Sequence, residues 1–137
     1  MKYGSIILEK KEFVTLKRLL SLQGNYKEAA RKNSVARLQN ELESAIVSDE
    51  DEMPEDVIRF NSEVTIVSND GWENSFQLVS PTESNFSNKK LSVLTAMGLA
   101  VMGYAQGDTI DWEFPGGAKS LTVKEVKNIK TESNQTI

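Results

Sequence analysis

The chain has 137 residues, 39% of them apolar, which is enough for one ordinary domain or two very small ones and too apolar for a disordered chain. It holds no cysteine and no histidine. Disulfides and thiolate metal sites are therefore excluded, and the commonest general base, metal ligand and pH switch is missing. The net charge of −4 is unevenly spread: residues 1–47 carry nine bases against five acids, residues 48–56 six acids and no base, and residues 57–137 seven bases against nine acids. An acidic total argues against bare or sequence-specific nucleic acid as the main target, while the basic N-terminal segment suits an acidic protein surface or a phosphate backbone. No apolar run approaches the roughly 20 residues that span a bilayer, and the N-terminus lacks a signal-peptide pattern, so a cytoplasmic protein with no membrane partner is expected.

Taken in chain order, Ile6, Ile7 and Leu8 come first, as a short strand or a hydrophobic plug. Phe13, Leu16 and Leu20 then recur at i, i+3, i+7, and Tyr26, Ala30, Leu38, Leu42, Ala45 and Ile46 continue a similar stripe. Between the stripes, Gly24 suits a helix stop, and Asn25 with Glu28 has the spacing of a capping box. The pattern predicts an antiparallel helical hairpin with helices near 10–22 and 26–46, and a hairpin projecting from so small a unit would be solvated on most sides. Ser48 to Asp56, SDEDEMPED, ends the second helix, because acids oppose the dipole at a helix C-terminus and Pro54 cannot continue the ladder. It reads as an acidic linker.

The period then changes. Val57 to Val67 reads as a strand, Asn69-Asp70-Gly71 as a hairpin turn, and Trp72 to Val79 as the return strand. A polar loop follows from Pro81 to Asn88, then a short strand from Leu91 to Leu94. Thr95 to Gly103 is a short helix with Thr95 as N-cap and Gly103 as stop. Two more strands, Thr109 to Phe114 and Ser120 to Ile129, flank the turn Pro115-Gly116-Gly117, and Lys130 to Ile137 is a polar tail. The expected fold is α+β: a helical hairpin or short coiled coil over 1–48, a linker over 49–56, and a small antiparallel β-sheet domain with one helix over 57–137.

The segments ELESAIVSDEDEMPEDVIRFNSEVTI and LSVLTAMGLAVMGYAQGDTIDWEFPGGAKSLTVKEV resemble the GreA/GreB family of transcription factors. The resemblance is nearest to its short-hairpin branch, the regulators of nucleoside diphosphate kinase (Rnk). It rests on Glu52-Met53-Pro54-Glu55-Asp56-Val57, Asn61-Ser62, Leu91 to Gly103, Gly107-Asp108, and Trp112-Glu113 with Pro115-Gly116-Gly117, in that order and spacing. It implies a C-terminal unit like the FK506-binding proteins that docks on bacterial RNA polymerase at the mouth of its secondary channel. It also implies a coiled coil directed into that channel. Leu94, Thr95, Ala96 and Met97 occupy the position that contacts polymerase in the family. Leu94 stands where members often carry an acidic or polar residue, and Ala96 where they often carry proline.

The residues themselves weigh as follows. Nearly every residue from Ala96 to Met102 is apolar. Leu99, Val101 and Met102 are core candidates, whereas Leu94 to Met97 suit either packing or an adaptable protein contact. The hairpin tip, Gln23, Gly24 and Asn25, carries no carboxylate to hold magnesium, and Glu28 is explained as a cap. No metal, cofactor or catalytic residue is assigned. Lys17, Arg18, Lys27, Arg31 and Lys32 form a basic hairpin face suited to an acidic channel wall. Trp72, Trp112 and Phe114 read as core. The expected function is a polymerase-binding regulator that competes with longer channel factors and does not stimulate transcript cleavage. The alternatives are a peptidyl-prolyl isomerase or chaperone of FK506-binding type, and an interaction module for an unrelated protein.

Overall fold

The computed structural model describes residues 2–21, 29–114 and 117–128, with the backbone alone at 29–34, 86 and 112–114. Its elements are β1 (Ile7–Glu9), α1 (Lys10–Ser21), α2 (Ala29–Leu42), β2 (Ile46–Ser48), β3 (Glu63–Ser68), β4 (Glu73–Val79), β5 (Lys90–Ser92), α3 (Ala96–Val101), β6 (Thr109–Phe114) and β7 (Gly117–Lys127).

The start of α1 has a cause that periodicity does not reveal. The Glu9 carboxylate accepts from the Lys11 amide at 3.0 Å and from the Glu12 amide at 3.1 Å, so it serves the orphan donors of the first turn. Leu16 and Leu20 on the predicted stripe are buried. The second helix stops at Leu42, short of the expected 46. Its last carbonyls are taken up in tight i→i+3 bonds, from Glu43 to Asn40, Ser44 to Glu41 and Ala45 to Leu42. The Ile46 amide then donates to the Ile6 carbonyl at 2.9 Å, and Ile46 to Ser48 pair in parallel with β1. Two β-branched residues in a row fit a strand as well as a helix stripe, and the Ile6–Leu8 segment settles the choice by supplying a ladder.

The predicted strand from Val57 begins only at Glu63. Val57 and Ile58 are fully buried, with Val57 in an isolated bridge to Ala105 and Ile58 bonded both ways to the 103–104 backbone. A turn at Arg59–Ser62, with Asn61 at φ 73°, then separates them from β3. The Asn69-Asp70-Gly71 turn forms as predicted, with Gly71 at φ 89° and its amide donating to the Ser68 carbonyl at 3.1 Å.

The five-stranded sheet runs β5-β4-β3-β7-β6. Three of its pairs are antiparallel, but β4 and β5 are parallel, with Gln77 opposite Lys90. The all-antiparallel expectation fails here because the 80–89 loop returns the chain alongside β4 before β5 begins. One face of the sheet, including Val64, Ile66, Leu78, Ile110 and Leu121, joins α3 in the core. The helices join the same core: Leu16, Leu20, Val35, Leu38 and Leu42 cluster with Leu99 and Met102. The described parts of α1 and α2 thus dock one buried stripe each on the core, and most of their other described side chains stay exposed. Burying the large apolar side chains on these stripes favours docking by roughly 1.5–3 kcal/mol each.

Candidate functional site

The turn that leads into α3 is held from three directions. The Val93 amide donates to the Val79 carbonyl at 2.9 Å, which anchors it to the end of β4. Thr95 caps the helix as predicted: its hydroxyl accepts from the Gly98 amide at 3.1 Å and donates to the Ser92 carbonyl at 2.8 Å. Gly98 packs directly on the preceding backbone, and a Cβ there would lie 2.5 Å from the Ser92 carbonyl oxygen. At the far end of α3, Gly103 takes φ 85°, and a Cβ there would lie 2.8 Å from the Ile6 side chain.

This packing sorts the four residues of the candidate contact. Leu94 is 7% exposed and belongs to the core. Thr95 is partly exposed, but its hydroxyl is committed to the cap. Ala96 and Met97 remain half-buried, with Met97 resting against the core edge. Leu99, Val101 and Met102 are fully buried, as the apolar run suggested. The surface on offer is therefore small, apolar and rigid, made by Ala96 and Met97 on a capped turn.

On the basic face, Lys17 and Arg18 are exposed, and the Lys17 ammonium lies 5.4 Å from the centroid of the Phe13 ring. Lys27 and the tip residues Gln23, Gly24 and Asn25 lie outside the described residues. Arg31 and Lys32 lie on the α2 backbone, with side chains outside the description. The same holds for Trp112 and Phe114 in β6, and the Lys130 to Ile137 tail lies wholly outside. Trp72, expected in the core, is 40% exposed at the β3–β4 turn, with the Lys119 ammonium 5.9 Å from its ring centroid.

Two polar links between the helices and the sheet unit were not foreseen. Arg59 forks onto Glu50 with two bonds of 2.7 Å and reaches Glu12 on α1 at 3.2 and 3.3 Å. Burial pushes the Glu12 carboxyl up despite the guanidinium, whereas hydrogen bonding to Arg59 pulls the Glu50 carboxyl down. Farther along, Lys2 and Tyr3 bond the Asp56 carboxylate. The acidic run is thus docked at both ends and is not a free tether. The second link joins α2 to the segment after α3: the buried Tyr104 hydroxyl donates to Glu41 at 2.5 Å, and burial with that carboxylate pushes the phenol well up. The only hint of the Arg59 link in the sequence is that Arg59 is the first base after six acids.

Comparison with known proteins bears on both parts of the molecule. Residues 53–128 match the profile of the C-terminal part of the GreA/GreB transcription elongation factors. The chain belongs to the GreA/GreB family. It is 40% identical over 92 residues to the regulator of nucleoside diphosphate kinase of Escherichia coli K12, covering 66% of this chain and 68% of that protein. It is 33% identical over 113 residues to the transcription elongation factor GreA of Syntrophus aciditrophicus, covering 78% and 70%. The solved structure of a GreA/GreB factor from Nitrosomonas europaea superposes with a TM-score of 0.70 at 30% identity, over 91% of this chain and 99% of that one. The GreA/GreB profile takes in Arg59, the Leu94–Met97 turn and α3, and leaves out α1 and α2. The GreA/GreB likeness of the helical part therefore rests on the superposition and on the longer GreA match, whose 78% of the chain must reach into α2.

Proposed function

We propose that this GreA/GreB-family chain is a regulator that docks on bacterial RNA polymerase at the entrance of the secondary channel, through the turn formed by Leu94, Thr95, Ala96 and Met97. The observation that carries this is the half-exposed apolar pair Ala96–Met97 on a turn immobilised by the Thr95 cap and the Gly98 contact. A contact surface that is rigid before binding loses little entropy when it is covered. Leu94 supports the site from beneath. On this reading α1 and α2 form a short coiled coil, and the sheet with α3 is a unit of FK506-binding type. Lys17, Arg18, Lys27, Arg31 and Lys32 steer the approach to an acidic wall.

The same reading denies the protein a role in transcript cleavage. Leu22, Gln23, Gly24 and Asn25 at the tip include no carboxylate to hold a metal ion. The reading also takes the coil to be shorter than that of the cleavage-type members; the twelve residues described for α1 span about 18 Å. Cleavage assays on stalled elongation complexes test the proposal. The parent and a Gln23→Asp/Asn25→Glu double variant are expected to leave cleavage at background, and the parent to slow cleavage driven by a full-length Gre factor. Acceleration by the parent alone overturns the non-cleaving role, and failure to compete overturns the shared docking site.

A further inference from the structure

The two-stranded sheet of β1 and β2 has one open edge. Its parallel ladder sets Ile7 opposite Ile46, Leu8 opposite Val47 and Glu9 opposite Ser48. The Ile46 amide donates to the Ile6 carbonyl. In a parallel ladder alternate residues turn both backbone groups to the same side. Ile46 and Ser48 therefore face β1, and the N–H and C=O of Val47 face away from it, where no described residue answers them. The other side of β1 is already occupied, since the Ile7 amide donates to the Gly103 carbonyl at 3.1 Å. The open edge is also apolar: Ile46 is 43% exposed and Val47 45%. Unpaired backbone groups beside exposed β-branched side chains are a template for strand addition, and proteins usually blunt such edges.

Charge selects the occupant. Glu43 precedes β2, and Asp49, Asp51 and Glu52 follow it. All four are exposed, and none forms an ion pair among the described residues. Glu50 is held by Arg59, and the charge of Lys11 also reaches it. A second copy of the chain fits poorly. Antiparallel pairing centred on Val47 sets Glu43 of each copy opposite Asp51 of the other, and parallel pairing stacks the two acidic runs. Like charges placed directly opposite one another are destabilising.

We propose that the β2 edge accepts an added strand from a partner protein, an extended basic segment in which aliphatic side chains alternate with Lys or Arg. Backbone bonds to Val47 supply the pairing, Ile46 and Val47 supply apolar contact, and the flanking carboxylates select for the bases. This surface lies across β1 from Gly103 and does not depend on the polymerase-docking turn.

The test uses the full chain and labelled synthetic hexapeptides that alternate valine and lysine. Fluorescence anisotropy reads binding, and amide hydrogen exchange reads Val47. Peptide binding is expected to slow exchange at Val47 at least tenfold. Three changes are each expected to weaken binding at least tenfold: methylating alternate peptide amides, replacing the peptide lysines with glutamate, and Val47→Pro in the protein. That proline removes the outward N–H, which an edge strand tolerates, and exchanges the valine side chain for another apolar one. The methylated peptide makes the same point with the protein unaltered. Unchanged exchange at Val47, or equal affinity for the methylated peptide, overturns strand addition. Equal affinity for the glutamate peptide overturns the basic partner. A dimer of the parent that Val47→Pro abolishes assigns the edge to a second copy instead. Met97→Asp is expected to leave peptide binding unchanged, so this result and the polymerase result fail independently.

Discussion

Replacing Arg59 by methionine removes the guanidinium while keeping most of the stem that packs beside α1. Arg59 and Glu12 are 17% and 18% exposed at the side chain, so the variant leaves Glu12 partly buried and without its partner. Removing one member of a fully buried pair costs roughly 3–5 kcal/mol. Glu50, at 71% exposed, is solvated and adds little. The partial exposure of the Glu12 pair brings the expected loss to about 2 kcal/mol, or about 6–8 °C in Tm for a domain of this size. The pH dependence discriminates further. The folded-state pKa of Glu12 is raised above its ordinary value, so its contribution is favourable below that ordinary value and is lost as pH rises through the folded value. Without Arg59 that pKa rises further, and the cost at neutral pH grows. Glu50 is lowered by Arg59, so in the parent its contribution is present at neutral pH and is lost as pH falls through its folded pKa. Both effects act in one direction: the deficit of Arg59→Met relative to the parent is largest near pH 7 and shrinks on acidification. Urea titrations of both proteins at pH 7 and near pH 4.5 measure it. A loss that stays the same at both pH values, or one below about 0.5 kcal/mol at pH 7, refutes the account of Arg59 as an electrostatic link between α1 and the sheet unit.

Met97→Asp is expected to leave the thermal melt nearly unchanged and to weaken polymerase binding at least tenfold, because the contact desolvates an unpaired carboxylate. Full affinity in a folded variant, measured by pull-down or anisotropy, removes Met97 from the site. Gly98→Ala is expected to destabilise by about 1–3 kcal/mol, since its Cβ would meet the Ser92 carbonyl at 2.5 Å and the Val93 Cα at 2.8 Å and backbone must yield. A denaturant midpoint equal to that of the parent contradicts this packing. Lys17→Gln with Arg18→Gln is expected to slow association with polymerase and to flatten its dependence on salt, because steering by exposed charges acts on the on-rate and is screened within about 10 Å at 0.1 M. Identical salt slopes in stopped-flow traces take these two bases out of the encounter.

Much of this protein is legible in the chain because its signals are local. The 3.6-residue stripe through Leu16 and Leu20 gives α1. Asn69-Asp70-Gly71 gives a turn because Gly71 must take a positive φ. Thr95 caps α3 because its hydroxyl reaches an amide three residues on. The apolar run through Leu99, Val101 and Met102 likewise announces the core. Pairing partners are another matter, because periodicity says which face of a segment is apolar and not what covers it. Ile46 extends a helix stripe equally well, and only the distant Ile6–Leu8 segment makes Ile46 and Val47 a strand. The parallel match of β4 with β5 depends on the path of a loop with no apolar pattern. Arg59, Glu12 and Glu50 look like three solvated charges, until the fold brings residues 47 and 9 positions apart to within hydrogen-bond reach. Leu94 and Met97 are apolar residues on either side of Thr95, yet the first lies in the core and the second is half-buried. Sequence alone therefore determines the buried stripe of α1, the cap of α3, the Asn69–Gly71 turn and the apolar run of the core. Tertiary structure decides which faces meet, because those contacts join segments whose separation along the chain carries no local signal.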